Sequence, residues 1–156
     1  MKDVSSEKPL KILEVIPALN SGGAERFVGD LCNQMARDEC EVTLLTMKNF
    51  SLRNFGFYKD DIASGVKVVN LGLGKFAPTT FYWLYRAIRQ QKCDVVHFHL
   101  TAMYFGVLAV LFDRKKKYIV TSHNQAESER TNERFRYWVK KLCPVSYTHL
   151  RAHETS

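Results

Sequence analysis

Several common markers of function are missing from the sequence. No two of its four cysteines, Cys32, Cys40, Cys93 and Cys143, stand in a C-x-x-C spacing. That disfavours a zinc site built on cysteine and leaves free thiols as the expected state. No secretion-type apolar segment opens the chain. Met1 to Pro9 is polar and charged, so residues 1–9 are expected to form a disordered leader. The longest apolar run, Ala102 to Phe112, is shorter than the ~20 residues that cross a bilayer and is expected to be a buried helix. No G-x-G-x-x-G fingerprint and no G-x-x-x-x-G-K-[ST] loop occurs. The segment Leu45-Thr46-Met47-Lys48 also lacks the carboxylate that would hold a cofactor ribose. A nicotinamide or flavin dehydrogenase and a P-loop nucleotidase are therefore disfavoured. Basic residues are not interleaved with aromatics and no reading module appears, so nucleic acid is not an expected partner.

What is present fits one domain with a true core. The chain has 156 residues, 46% hydrophobic and 25% charged, with a net charge of +7. That balance favours anionic partners. The clusters Arg114-Lys115-Lys116-Lys117 and Lys140-Lys141 read either as a solvated turn and helix end or as a contact with an anionic membrane. The expected location is cytoplasmic, peripheral to the inner face of the membrane if that contact is made.

Apolar runs alternate with helical periodicity. Lys11 to Ile16, Val42 to Thr46, Val66 to Asn70, Asp94 to His99 and Tyr118 to Ser122 read as five strands. Ala24 to Arg37, a segment from Thr79-Thr80, Ala102 to Phe112 and Asn132 to Leu142 read as helices. Thr79-Thr80 is expected to cap the second of them. Residues 48 to 64, with Phe50, Phe55, Phe57 and Tyr58, read as a packed excursion. Apolar strands alternating with helices mean an α/β fold, a doubly wound parallel sheet of Rossmann-like type. The expected strand order is 3-2-1-4-5, and ligands then bind where the order reverses, between strands one and four.

Three loops converge there. After strand one come Asn20-Ser21-Gly22-Gly23, strand four ends in His97, His99 and Thr101, and His123-Asn124 follow strand five. Two glycines opening a helix let an anion such as a diphosphate approach free amides, although a tight turn without a ligand would look the same. His97 and His99 share one strand face. With His123 they have metal-binding spacing, but no Asp or Glu is expected immediately beside them to complete a site, so no metal is expected. Packing or bonds to backbone carbonyls account for His97 and His99 equally well. His123 sits in a polar setting and is expected to face the cleft, bonding a sugar hydroxyl or acting near developing charge.

The last twelve residues, 145–156, show no periodicity and are expected to fit no element. Val145 to Thr155 resembles a transposase-type sequencing adapter translated in one frame, so the tail is expected to be non-native and the chain truncated near Pro144.

These residues in this order resemble the N-terminal domain of family 4 glycosyltransferases. The resemblance spans residues 10–144 and rests on Lys11 to Ile16, Gly22-Gly23-Ala24-Glu25-Arg26, Glu41 to Thr46, Asp94 to His99 and Thr121-Ser122-His123-Asn124. It departs at Asp38-Glu39-Cys40, where the family usually ends helix one with glycine. It implies the N-terminal half of a GT-B fold, with two Rossmann-like domains facing a cleft. The implied activity is retaining transfer of a sugar, of hexosyltransferase type, from a nucleotide-sugar donor to a saccharide or lipid-linked acceptor, as in polysaccharide synthesis. No metal or other cofactor is implied. Gly22 and Gly23 match the loop near the donor diphosphate, and His123 matches the catalytic histidine near the transferred sugar. Asn20, Ser21, His97, His99, Thr101 and Asn124 fall on the acceptor side. The E-x7-E donor motif of the family's second domain does not occur in these residues, so they are expected to be inactive alone. The alternatives are a non-catalytic Rossmann-like binding module and a metal-dependent hydrolase built on the histidines.

Overall fold

The computed structural model describes residues 8–50, 56–74, 77–122 and 146–149, the last four and Ser122 through their backbone. Six strands form one parallel sheet in the order β3-β2-β1-β4-β5-β6. They are β1 Lys11–Ile16, β2 Glu41–Lys48, β3 Lys67–Leu73, β4 Val95–His99, β5 Lys117–Ser122 and β6 Ser146–His149. The helices are α1 Gly23–Arg37, α2 Thr79–Gln90, α3 Ala102–Phe105 and α4 Val107–Phe112. The doubly wound α/β sheet and the order of its first five strands are as expected. The expected final helix, Asn132 to Leu142, lies outside the described residues.

Period-two alternation sorts the strand side chains onto two cores. Leu13, Val15, Leu45, Met47, Val96 and Phe98 face α2, α3 and α4 and pack with Leu84, Ile88, Ala102 and Ala109. Ile16, Val42 and Leu44 face α1 and pack with Val28 and Cys32. Full burial of a side chain such as Leu84 or Ile88 contributes roughly 1.5–3 kcal/mol. The crossovers therefore leave α1 on one face and α2 to α4 on the other, so the winding reverses between β1 and β4. Those two strands are direct neighbours, with Glu14 opposite His97.

Three expectations are corrected. The apolar run from Ala102 to Phe112 is two short helices, broken at Gly106. The Phe98 ring occupies the space a Cβ at 106 would need, so the backbone presses against the sheet there. Nor is the run fully buried: only Ala102, Gly106 and Ala109 are, while Phe112 stands 70% exposed. At α2 the threonines do not cap with their side chains. Pro78 is the N-cap residue, and Thr80 Oγ1 instead accepts a hydrogen bond from the Ala77 N–H at 3.0 Å. Within 145–156, Ser146–His149 does fit an element, pairing with β5 as the edge strand β6. Tyr147 and Thr148 are strand-favouring residues, and β5 offers an open edge beside them.

The excursion at 48–64 is packed in part: Phe57 is 55% exposed, and residues 51–55, Phe55 among them, lie outside the described residues. Phe50, Tyr58 and Ile62 lie against the α1-side core. Asn33 on α1 clamps it, donating to the Asp61 carbonyl at 2.9 Å and accepting from the Ala63 N–H at 2.8 Å. The Tyr58 N–H donates to the Leu19 carbonyl at 3.2 Å, which fixes the base of the following glycine loop.

Candidate functional site

The loop Asn20-Ser21-Gly22-Gly23 leaves the carboxyl end of β1 and enters α1 directly. Gly22 is the N-cap residue, in an extended conformation with φ −96° and ψ 161°, and no side chain caps the helix. The first intrahelical bond runs from the Arg26 N–H to the Gly22 carbonyl at 3.1 Å. The amides before Arg26 therefore have no helical acceptor, and they form the positive end of a fifteen-residue helix. The Glu25 carboxylate folds back over Gly22, into the space a Cβ there would need. A carboxylate in that place is where an anionic ligand would also be drawn. Nothing lies within 4 Å of a Cβ built on Gly23. Asn20 is half-buried and Ser21 exposed, at the edge of the sheet where the winding reverses.

Beneath that edge lies a polar network that the sequence reading only half anticipates. Glu14 on β1 and His99 on β4 are 1% and 0% exposed, and His97 is half-buried. His99 Nε2 lies 2.5 Å from Glu14 Oε2, and His97 Nδ1 lies 3.1 Å from the same oxygen. His97 Nε2 in turn lies 2.7 Å from Thr121 Oγ1 on β5. One network thus joins β1, β4 and β5. The two imidazoles share a face, as period two requires, with ring centroids 4.0 Å apart. Contrary to expectation, a carboxylate does complete their cluster: Glu14, from the neighbouring strand. Glu14 and Thr121 were missed because their nearness depends on strand pairing. A signal existed, since Glu14 is the single charged residue within the apolar stretch Ile12 to Ile16 and a buried carboxylate demands donors.

The electrostatics follow from these contacts. Burial pushes the Glu14 pKa up, but hydrogen bonds from His97 and His99 outweigh it and hold the carboxyl below its ordinary value. Burial pulls His99 down, against the opposing pull of Glu14, so its imidazole is held neutral. An Nε2–H tautomer then donates to the carboxylate. On α1, burial and the Glu14 charge push the Cys32 thiol far up, which keeps it protonated and unreactive.

Glu14, His97 and His99 each present a possible metal ligand atom, all within 4.8 Å of one another. A hydrolytic metal centre needs an open coordination position. With Glu14 and His99 wholly covered, this cluster is built as a closed structural element instead. Thr101 is exposed, just before α3 at the end of β4. The structure therefore brings Asn20, Ser21, Gly22, Gly23 and Thr101 to the carboxyl edge of adjacent strands, with His97 half-buried and His99 fully buried beneath them. His123 and Asn124 lie outside the described residues, one position and two beyond the end of β5.

A family model described as Glycosyltransferase Family 4 matches residues 21–152. No curated protein matches the sequence. Among solved structures, the molybdenum cofactor binding protein from the phototrophic bacterium Rippkaea orientalis is similar at 13% identity, over 92% of this chain and 91% of that one, with a TM-score of 0.45. That likeness is too distant to carry an argument.

Proposed function

Because this chain belongs to glycosyltransferase family 4, we propose that it forms the acceptor-side half of a retaining glycosyltransferase. That enzyme moves a sugar from a nucleotide-sugar to a saccharide or lipid-linked acceptor. The observation that carries the reading is the uncapped start of α1 at Gly22-Gly23, at the reversal point of the sheet. As the bond from sugar to diphosphate breaks, negative charge grows on the leaving group. The free first-turn amides of α1 are oriented before the reaction and stabilise that charge without reorganisation. The two glycines let the diphosphate come to the backbone. Glu25 must swing aside as it does.

His123, just past β5, stands as the group that meets the transferred sugar, holding a hydroxyl or acting on nearby charge. Asn20, Ser21, Thr101 and Asn124 bound the acceptor. The Glu14–His97–Thr121 network sets the height at which β1, β4 and β5 end, and so where these loops begin.

The test uses a chain that carries the sugar-nucleotide half as well as these residues. Release of nucleoside diphosphate from a panel of nucleotide-sugars is followed with acceptor present. Turnover should fall by about 100-fold in Gly22→Ala and in His123→Ala. Turnover by the 156 residues alone would contradict the reading, as would full activity in both variants.

A further inference from the structure

The amino ends of β1, β4 and β5 form the edge of the sheet opposite the glycine loop. An open hollow of about 900 Å³ lies there, near the top of the roughly 300–1,000 Å³ range of small-molecule sites. Three strand starts line it. Lys11 opens β1, Cys93 and Asp94 lead into β4, and Lys115 and Lys116 lead into β5. The carboxyl ends of α2 and α4 complete the wall through Arg89 and Phe112.

Seven of the lining residues are Lys or Arg and two are acids, Asp94 and Asp113, so the hollow is strongly positive. Both acids are engaged. Asp94 accepts from the Lys11 N–H at 3.0 Å, and Asp113 pairs with Lys116 at 2.6 Å. Lys11 itself pairs with Glu41. Arg89 sits in the last turn of α2, where a cation answers the helix dipole. That leaves Lys8, Lys92, Arg114 and Lys115, all exposed and none ion-paired among the described residues. Cys93 adds no negative charge at neutral pH, because burial pushes its thiol up to about 11. On an open surface water would screen four such cations separately. Around one hollow their potentials add, and a compact polyanion meets several at once.

A ring stands beside the cations. Phe112 is 70% exposed and meets Tyr85 edge-on at 6.2 Å, with 65° between the ring planes. An apolar ring left in water next to cations suits a planar base, which stacks on its face.

We propose that this amino-edge hollow binds a nucleoside polyphosphate, with its phosphates among Lys8, Lys92, Arg114 and Lys115 and its base on Phe112. It is a second site, distinct from the start of α1. The six residues of β1 set the two apart by roughly 20 Å. An inorganic polyphosphate would leave the ring unused. The proposal does not depend on the sugar-transfer reading.

Isothermal titration calorimetry of the full chain tests it, with ADP as the probe and AMP and inorganic pyrophosphate beside it. ADP should bind at least about tenfold tighter than AMP, and its affinity should fall when salt is raised to about 500 mM. Lys92→Gln with Lys115→Gln removes two charge-assisted contacts and should weaken ADP at least about tenfold. Arg37→Gln with Lys59→Gln, on the α1 side, removes the same charge and should weaken it less than about twofold. Phe112→Ala removes an exposed ring, so the chain should fold, bind ADP at least about fivefold more weakly and hold pyrophosphate as before. The series should repeat in the Gly22→Ala chain, where the start of α1 is blocked. Absence of ADP binding, equal loss in the two double variants, or an unaltered ADP affinity in Phe112→Ala would each overturn the proposal. Loss of all ADP binding in Gly22→Ala would place the nucleotide at α1 and overturn it too.

Discussion

Glu14 is the side chain on which most depends for its size. A carboxylate this deep loses several kcal/mol of hydration, returned only through His97 and His99. In Glu14→Gln the amide can accept from one imidazole and turns its NH2 towards the other. We expect a loss of about 2–3 kcal/mol in urea unfolding at neutral pH. The pH dependence has a definite sign. His99 has its folded pKa below its unfolded one, so the unfolded chain takes up the proton first as pH falls below about 6.5. Glu14 is also held below its ordinary value, so its contribution is full above about pH 4.5 and is lost at lower pH. Both effects remove stability towards acid. Melting temperature should drop from pH 7.5 to 5, and the drop should be shallower in His99→Gln. Glu39 offers the opposite case. Its φ is +61°, and around it the Cys40 N–H reaches back to the Met35 carbonyl at 3.0 Å, closing a Schellman turn. The sequence shows an acidic residue where a glycine is usual, and the backbone adopts the left-handed conformation regardless. Glu39→Gly should therefore stabilise the chain by about 0.5–1 kcal/mol, read as a raised urea midpoint.

At the scale of elements, the start of α1 separates stability from binding. Gly22 has ordinary angles, and an added Cβ meets only the movable Glu25 side chain. Gly22→Ala should cost about 0.5–1 kcal/mol, the N-cap preference for glycine over alanine, a loss the fold tolerates while the diphosphate is blocked. Gly23→Ala meets open space inside the helix and should raise stability by about 0.5–1 kcal/mol, yet it too should weaken donor binding. Gly106 behaves differently, because its missing Cβ is filled by the Phe98 ring within the core. Gly106→Ala should cost about 1–3 kcal/mol, and Phe98→Leu in the same chain should recover part of it, since the smaller side chain yields the space. These elements were unevenly legible. The bounds of β1 follow from an apolar run closed by Pro17, and α1 from residues spaced three and four apart. The break at Gly106 was hidden, because a uniformly apolar segment has no periodicity to interrupt and the cause lies on β4. Phe27 shows the same limit. Helical spacing places it on the buried stripe, but it is 40% exposed, whereas its neighbour Val28 is fully buried.

At the scale of the whole molecule, the sheet order was readable because right-handed crossovers and short connections leave few alternatives. The site was readable as a place, the switch point between β1 and β4, but not as a set of contacts. Residues 14, 97 and 121 are far apart in sequence, and only parallel pairing aligns them. That alignment also makes the network a check on assembly. Strands rich in Val, Ile and Leu can slide past one another at little cost, because each apolar side chain accepts many neighbours. A slip of β4 by one residue would turn His97 and His99 through the sheet into the Leu13–Leu84–Val96 core and leave Glu14 with no donor. Only one threading of the three strands satisfies all four polar side chains. The buried charge thus works as a key that rejects the wrong register, and the chain accepts its cost in exchange for a single answer.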